Sequence, residues 1–254
     1  MSSVAPLRPA GAVNRLQADD RSVHDWYRFV LSFPPHLVRD YLGRFGVDGR
    51  HRVLDPFCGT GTVGVECRKL GIAAVGVEAN PMTHLAARVK TDWSPDPDGL
   101  VAHAQSVATA AEEALALRAG EEAPGQGGTG AGRSAPSPPE AAQLLPAGAI
   151  SPLPLHKTLV LLERIQAHAD RRYGDHERLA LARVLVTVAG NLRFGPEVSV
   201  GPAKPDAPVV AAWLGAVEAM ARDLRAVGRG VRPPARCTTP MRGGSTARWR
   251  HALH

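Results

Sequence analysis

The sequence predicts an α/β fold in which part of a parallel sheet is followed by a helical insertion, and three observations predict it. The apolar pair Val53-Leu54 breaks into the turn Asp55-Pro56-Phe57-Cys58-Gly59-Thr60-Gly61-Thr62. A second apolar run, Ala73-Ala74-Val75-Gly76-Val77, ends in the acid Glu78. Beyond Leu155, apolar residues recur at spacings of three and four, the period of a helix buried on one face. A strand, a glycine turn, a helix and a second strand closed by an acid form the layout of a nucleotide-type cofactor cradle.

Taken in order, residues 1–20 are a polar leader with no apolar run long enough for a signal peptide. Val23 to Phe45 reads as helical, interrupted at Phe33-Pro34-Pro35, with Trp26, Tyr27, Phe29, Val30, Leu37, Val38 and Tyr41 on apolar faces. His36 reads as a capping or solvated histidine. Val53-Leu54 is the first strand, Gly61 to Leu70 the first cradle helix and Ala73 to Val77 the second strand. Pro81 to Thr91 follows as a helix, because Asn80 is a good cap and proline suits the first turn. These pieces make one right-handed βαβ unit. Val101 to Arg118 is alanine-rich and helix-prone.

Gly120 to Pro154 breaks the pattern with Gly-Gln-Gly-Gly and Ser-Pro-Pro stretches, which bury too little apolar surface to offset the entropy of ordering them. Leu155 to Ala169, Glu177 to Leu192 and Pro208 to Val227 are three amphipathic helices, the last capped by Asp206. The expected organisation is therefore a flexible leader (1–20), an α/β cofactor-binding part (21–118), a disordered low-complexity insert (119–154), a helical part (155–227) and a basic irregular tail (228–254). Between the last two helices, Asn191 to Glu197 is either a helix C-cap or a shaped loop in which Arg193 meets a phosphate and Phe194 stacks on a base.

Composition narrows the class. With aromatic residues at only 5% of 254, alanine, valine and leucine must supply most of the core. No run approaches the length of a membrane span, so no membrane partner and a cytoplasmic location are expected. Three cysteines without Cys-x-x-Cys spacing argue against a zinc site or a disulfide scaffold, and no metal is expected. The net charge of +6 suits a polyanionic partner, yet eight arginines against the single acid Asp223 between Ala221 and His254 account for all of it. The basic character belongs to the tail and not to the folded part.

In the cradle, Gly59 and Gly61 allow a tight turn and close ligand approach, and the helix start beyond them offers free N–H groups. Glu78 stands 23 residues after Asp55, near the roughly 20-residue offset at which an acid reaches a ribose hydroxyl. Gly59-Thr60-Gly61-Thr62-Val63-Gly64 also fits the dinucleotide pattern Gly-x-Gly-x-x-Gly, which leaves a dehydrogenase as an alternative.

Asp55-Pro56-Phe57-Cys58-Gly59-Thr60-Gly61-Thr62 resembles the first motif of S-adenosylmethionine-dependent DNA amino methyltransferases of the adenine-N6 and cytosine-N4 type. Val75-Gly76-Val77-Glu78-Ala79-Asn80-Pro81 resembles their second motif, and Asp25 to Val38 resembles the segment that packs beside the cofactor loop. The likeness covers roughly residues 20 to 92, with a weaker echo around Asn191 to Pro208. It implies a partial Rossmann-like methyltransferase sheet, S-adenosylmethionine as cofactor and DNA as partner. It also implies a cofactor site of Asp55, Pro56, Phe57, Cys58, Gly59, Thr60, Gly61, Thr62, Glu78, Asn80 and Pro81. On that resemblance Asp55 and the loop backbone hold the methionine end, Phe57 packs near the cofactor and Glu78 takes the ribose hydroxyls. A similar first motif occurs in RNA guanine-N2 methyltransferases, which stay an alternative.

The family's catalytic motif is a polar residue followed by Pro-Pro and an aromatic. The Pro-Pro pairs here, Phe33-Pro34-Pro35-His36, Ser137-Pro138-Pro139-Glu140 and Arg232-Pro233-Pro234-Ala235, all lack one end or both. No catalytic residue is therefore assigned. The arginine-rich, acid-free tail is expected to be a degenerate or out-of-frame end of a methyltransferase's N-terminal part, and a basic nucleic-acid-binding arm is the competing reading. A non-catalytic protein that keeps the cofactor pocket is the third possibility.

Overall fold

The computed structural model describes residues 17, 20–28, 32–121, 145–194, 197–228 and 235–238. A short 3-10 turn at His24–Trp26 is followed by α1 (Pro35–Arg44), β1 (Arg52–Asp55), α2 (Thr62–Lys69), β2 (Ala73–Val77) and α3 (Pro81–Lys90). Then come α4 (Pro97–Glu121), α5 (Pro152–Ala167), α6 (Gly174–Val184) with a π turn at Leu185–Ala189, β3 (Leu192–Phe194), β4 (Val198–Val200), α7 (Val209–Val227) and β5 (Ala235–Thr238). The chain divides into two compact units, one of Met1–Ser94 with Val227–His254 and one of Pro95–Ala226. Most of the leader, residues 122–144 of the insert, and the tail apart from 228 and 235–238 lie outside the described residues.

In the first unit, β1 and β2 run parallel from Arg52 opposite Ala73 to Asp55 opposite Gly76. β2 pairs in parallel on its other side with β5, from Ala74 opposite Ala235 to Val77 opposite Thr238. The tail segment read as irregular thus contributes a strand: Ala235, Arg236, Cys237 and Thr238 alternate apolar and polar, with Ala235 buried and Arg236 exposed, and they pair with the open edge of β2. Val38 and Leu42 of α1, Cys67 of α2, Ile72, Ala74 and Ala235 form the core, with Val47, Val53 and Val63 packed against it. The helical reading of Val23 to Phe45 holds only for α1, which starts at Pro35; among the described residues before it there is the short 3-10 turn, left by an extended Tyr27, in place of a first helix.

A buried ion cluster ties this unit together. Glu66 of α2 is wholly excluded from solvent. His24 Nε2 donates to its Oε1 at 2.7 Å, Arg39 Nη1 to its Oε2 at 2.6 Å, and Lys69 Nζ lies 3.0 Å from Oε1. Arg39 Nη2 also donates to Asp20 Oδ1 at 2.7 Å. Burial alone would raise the Glu66 pKa, but the His24 hydrogen bond, Lys69 and Arg39 outweigh it and hold the carboxyl at about 2. Burial lowers His24 to about 4 against the partial opposition of Glu66, so His24 is a neutral donor at pH 7.

The second unit is helical. Leu100, Ala104 and Val107 of α4, Val160, Leu161 and Ile165 of α5, Leu179 and Val184 of α6, and Trp213, Val217 and Met220 of α7 are buried. The predicted helix over 177–192 runs as α6 to Val184 and on as the π turn to Ala189; the chain leaves it at Gly190, and Asn191 is drawn into a buried network. Its Nδ2 donates to Gly148 O and Ser151 Oγ, and its N–H donates to Ala149 O. Leu192–Phe194 then pairs antiparallel with Val198–Val200. The helix predicted over 101–118 is α4, and it belongs to this unit and not to the sheet. Among the described residues no helix is long and apolar enough to cross a membrane.

The His24–Glu66 pair fixes a pH response. Both groups have folded pKa values below their ordinary ones, so each contributes stability that is full above its ordinary pKa and is lost as pH falls through the folded one. His24 therefore weakens the fold between about 6.5 and 4, and Glu66 between about 4.5 and 2. Urea midpoints should fall from pH 7 to pH 4.5. In His24→Gln, which keeps a donor but cannot titrate, that fall should be visibly shallower.

Candidate cofactor site

β1 ends at Asp55, and the register that sets Asp55 opposite Gly76 brings the glycine turn and the end of β2 together. Asp55 Oδ1 accepts the Phe57 N–H at 3.1 Å, closing the first bend. The Cys58 N–H donates to Val77 O at 3.0 Å and the Gly61 N–H to Cys58 O at 2.8 Å, which stitches the loop to β2. Pro56 and Phe57 stand in solvent, and Phe57 is 86% exposed. Thr60 and Thr62 turn inward and are buried, with the Thr60 hydroxyl 3.3 Å from Ser32 Oγ.

Glycine is needed in this loop for two different reasons. Gly61, at φ 85°, caps α2, and a Cβ there would lie 2.8 Å from Ala87 Cα, so its lack of a side chain lets α3 pack against the loop. Gly59, at φ 51°, has nothing within 4 Å of where its Cβ would be, so its surface is open to a ligand. Close ligand approach, expected of both glycines, is left open only at Gly59.

Glu78 is half-buried just past β2; its N–H donates to Thr238 O at 3.0 Å and its Oε1 accepts the Asn80 N–H at 2.7 Å. Asn80 Oδ1 accepts from Met82 N and Thr83 N, so Asn80 and Pro81 start α3. Burial, and to a smaller degree the charge of Glu78, raises the Asp55 pKa. Asp55 and Glu78 are thus close enough to repel one another, and a positive charge between them would be favoured.

Cys58 lies over Gly76, with Sγ 3.2 Å from Cys237 Sγ on β5. That hydrogen bond and burial push the Cys58 thiol up, while the same bond lowers Cys237. Cys237 was not anticipated, since residues so far apart in sequence carry no local signal of pairing. Lys90 was also missed, although it stands on the same helical stripe as Ala86 and Ala87 and is buried with them. Arg193 and Phe194 belong to the second unit. They are adjacent residues of β3, and strand alternation sends their side chains to opposite faces. Among the described residues no group of acids, histidines or cysteines could hold a metal.

Residues 17–88, from the chain before the 3-10 turn almost to the end of α3, match the family model described as DNA methylase, of the N6/N4 type. Over 72 residues the chain is 33% identical to the type II methyltransferase M.BsoBI of Geobacillus stearothermophilus. Over 71 residues it is 37% identical to the type II methyltransferase M.MjaII of Methanocaldococcus jannaschii. This segment is similar to the DNA methylase family. The methylase segment is 28% of the chain and spans 14% and 13% of those two relatives. It includes the whole glycine turn, Glu78 and Lys90's helix up to Arg88, whereas the helical unit and β5 lie outside it. No solved structure matches the chain.

The two glycines of the methylase segment should respond differently to a methyl group. Gly61→Ala meets both left-handed strain and the α3 backbone and should lower stability by about 3 kcal/mol. Gly59→Ala meets only the strain and should cost about 1 kcal/mol. Urea unfolding of both variants measures the difference, and equal losses would deny Gly61 its packing role.

Proposed function

We propose that the glycine turn, Asp55 and Glu78 bind S-adenosylmethionine, and that the protein serves methyl transfer to an exocyclic amino group of a DNA base, adenine N6 or cytosine N4. The observation that carries the reading is the coincidence of the methylase match with the turn where β1 and β2 end side by side. The chemistry of the residues fits. Glu78 Oε2 and Asp55 Oδ2 have no partner among the described residues and can accept from hydroxyls or an ammonium, and their mutual repulsion favours a cationic ligand. Phe57, two residues before the open surface of Gly59, offers an exposed ring. When bound, the cofactor supplies an electrophilic methyl on a sulfonium.

For methyl transfer, the amine's lone pair must be freed from its ring by acceptors placed at its protons. The Pro-Pro-aromatic motif that does this in the family has no counterpart in these 254 residues. That observation favours a second reading, cofactor binding without turnover by this chain alone. The family match names DNA, which places an RNA guanine substrate behind it.

Glu78→Ala should weaken S-adenosylmethionine binding roughly 10- to 100-fold in calorimetry, the range for losing a charged hydrogen-bond partner. Unchanged affinity would remove Glu78 from the site. Incubation with labelled cofactor and either duplex DNA or tRNA separates the functional readings: label in DNA supports methyl transfer, label in tRNA overturns the DNA assignment, and binding without label supports the second reading.

A further inference from the structure

Beside the start of α2 lies a cavity of about 30 Å³, lined by His24, Arg28, Ser32, Thr60, Thr62 and Lys90. It has room for a pair of waters or one carboxylate group, and it is too small for a phosphodiester with its sugars. Lys90 is 2% exposed, and among the described residues no hydrogen bond or ion pair ends on its ammonium. An ammonium buried without a partner is among the costliest arrangements a fold can hold.

Among the described residues, the neighbours leave that charge uncompensated. Asp25 favours it at a distance, but Asp25 is also 3.9 Å from Arg28. Lys69 and Arg28 oppose it, Lys69 being engaged with Glu66, and His24 is neutral and donates to Glu66. Burial, helped by these cations, holds Lys90 down to about 7. At the same spot α2 begins without a side-chain cap, and its first internal bond is Val65 N to Gly61 O. Its first N–H groups therefore point out of the helix start unpaired within it, and they favour an anion.

On the proposed cofactor reading, the two ends of the loop differ in charge. Asp55 and Glu78 form an acidic pole that repels anions, whereas Lys90 stands at a cationic pole past Thr60. S-adenosylmethionine has one anionic group, the α-carboxylate of its amino-acid end. We propose that the cavity at Lys90 takes this carboxylate, with the Lys90 ammonium as counter-ion and the Thr60 and Thr62 hydroxyls and the α2 N–H groups as hydrogen-bond donors. Lys90 is then a specificity residue that tells the cofactor from its decarboxylated form, and its charge is satisfied only in the bound state.

The test compares S-adenosylmethionine with decarboxylated S-adenosylmethionine on the full chain by calorimetry. The wild type should prefer the carboxylated form on the order of 30-fold, and Lys90→Met, which keeps the length and apolar stem, should bind both at the level of the decarboxylated one. A Lys90→Met protein that discriminates as the wild type does, or a wild type that binds both equally, overturns the inference while leaving the cofactor reading intact. If neither compound binds the wild type, the cofactor reading falls and this inference with it. A wild-type pH series needs no variant: the preference should shrink as pH rises from 7 to 9 and Lys90 loses its proton, and a constant preference overturns the assignment. Duplex DNA affinity should be the same in Lys90→Met; a loss there with discrimination intact would make Lys90 a phosphate contact instead.

Discussion

The arrangement rests on one carboxylate, Glu66, kept out of water on the second turn of α2. Removing such a charge from solvent costs several kcal/mol, and only donors arriving from every side offset it. They come from separate pieces of chain: His24 from the 3-10 turn, Arg39 from α1 and Lys69 from α2 itself. The cluster therefore holds the amino-terminal segment against the helix that the glycine turn starts. Because α2 begins at Thr62, four residues before Glu66, the geometry of the cluster also fixes where that helix points its first N–H groups. A change at Arg39 would remove the joint partner of Glu66 and Asp20 and release α1 from Glu66, leaving His36, 3.7 Å from Asp20, as its remaining link to that acid.

What could be read from the sequence was what local chemistry dictates. The glycine turn, the Asn80-Pro81 cap and the two apolar strands appear where their residues demand, because a left-handed turn, a missing N–H and a β-branched run each act within a few residues. What could not be read depends on distant partners. Ala235–Thr238 alternates over only four residues amid arginine, proline and glycine, too short a pattern to announce a strand without the open edge of β2 that it pairs with. The helix expected to reach residue 192 winds as a π turn to Ala189 and is left at Gly190, with Asn191 claimed by Gly148 and Ser151, some 40 residues earlier in the chain. In the same way Ile150, placed by composition within a disordered insert, bridges to Gly190.

The candidate site divides along the same line. Asp55, Gly59 and Glu78 announce themselves by residue type and spacing, whereas Gly61 does its work by admitting Ala87, a contact invisible without α3 in place. Lys90 is the sharper case. A lysine one turn beyond Ala86 and Ala87 reads as a helix-end cation favoured by the dipole, which is what propensity makes of it. Only its burial, together with the lack of any counter-ion among the described residues, separates a solvated terminus from a charge waiting for a ligand.

On the proposed reading, charge and apolar surface together make the loop a receiver. The total of +6 says little about the cradle, since the arginines after Ala221 account for it. Locally Asp55 and Glu78 put negative charge at the strand ends, Lys90 shares a cavity with Thr60 and Thr62 of the turn, and Phe57 stands exposed two residues before Gly59. Covering a phenylalanine side chain is worth about 1.5–3 kcal/mol, and a flat aromatic ligand recovers that without moving the backbone. A molecule with a planar ring, a positive centre and a separate carboxylate meets all three features at once. A dinucleotide meets the ring but brings phosphates toward Asp55 and Glu78, and like-charge repulsion there weighs against it.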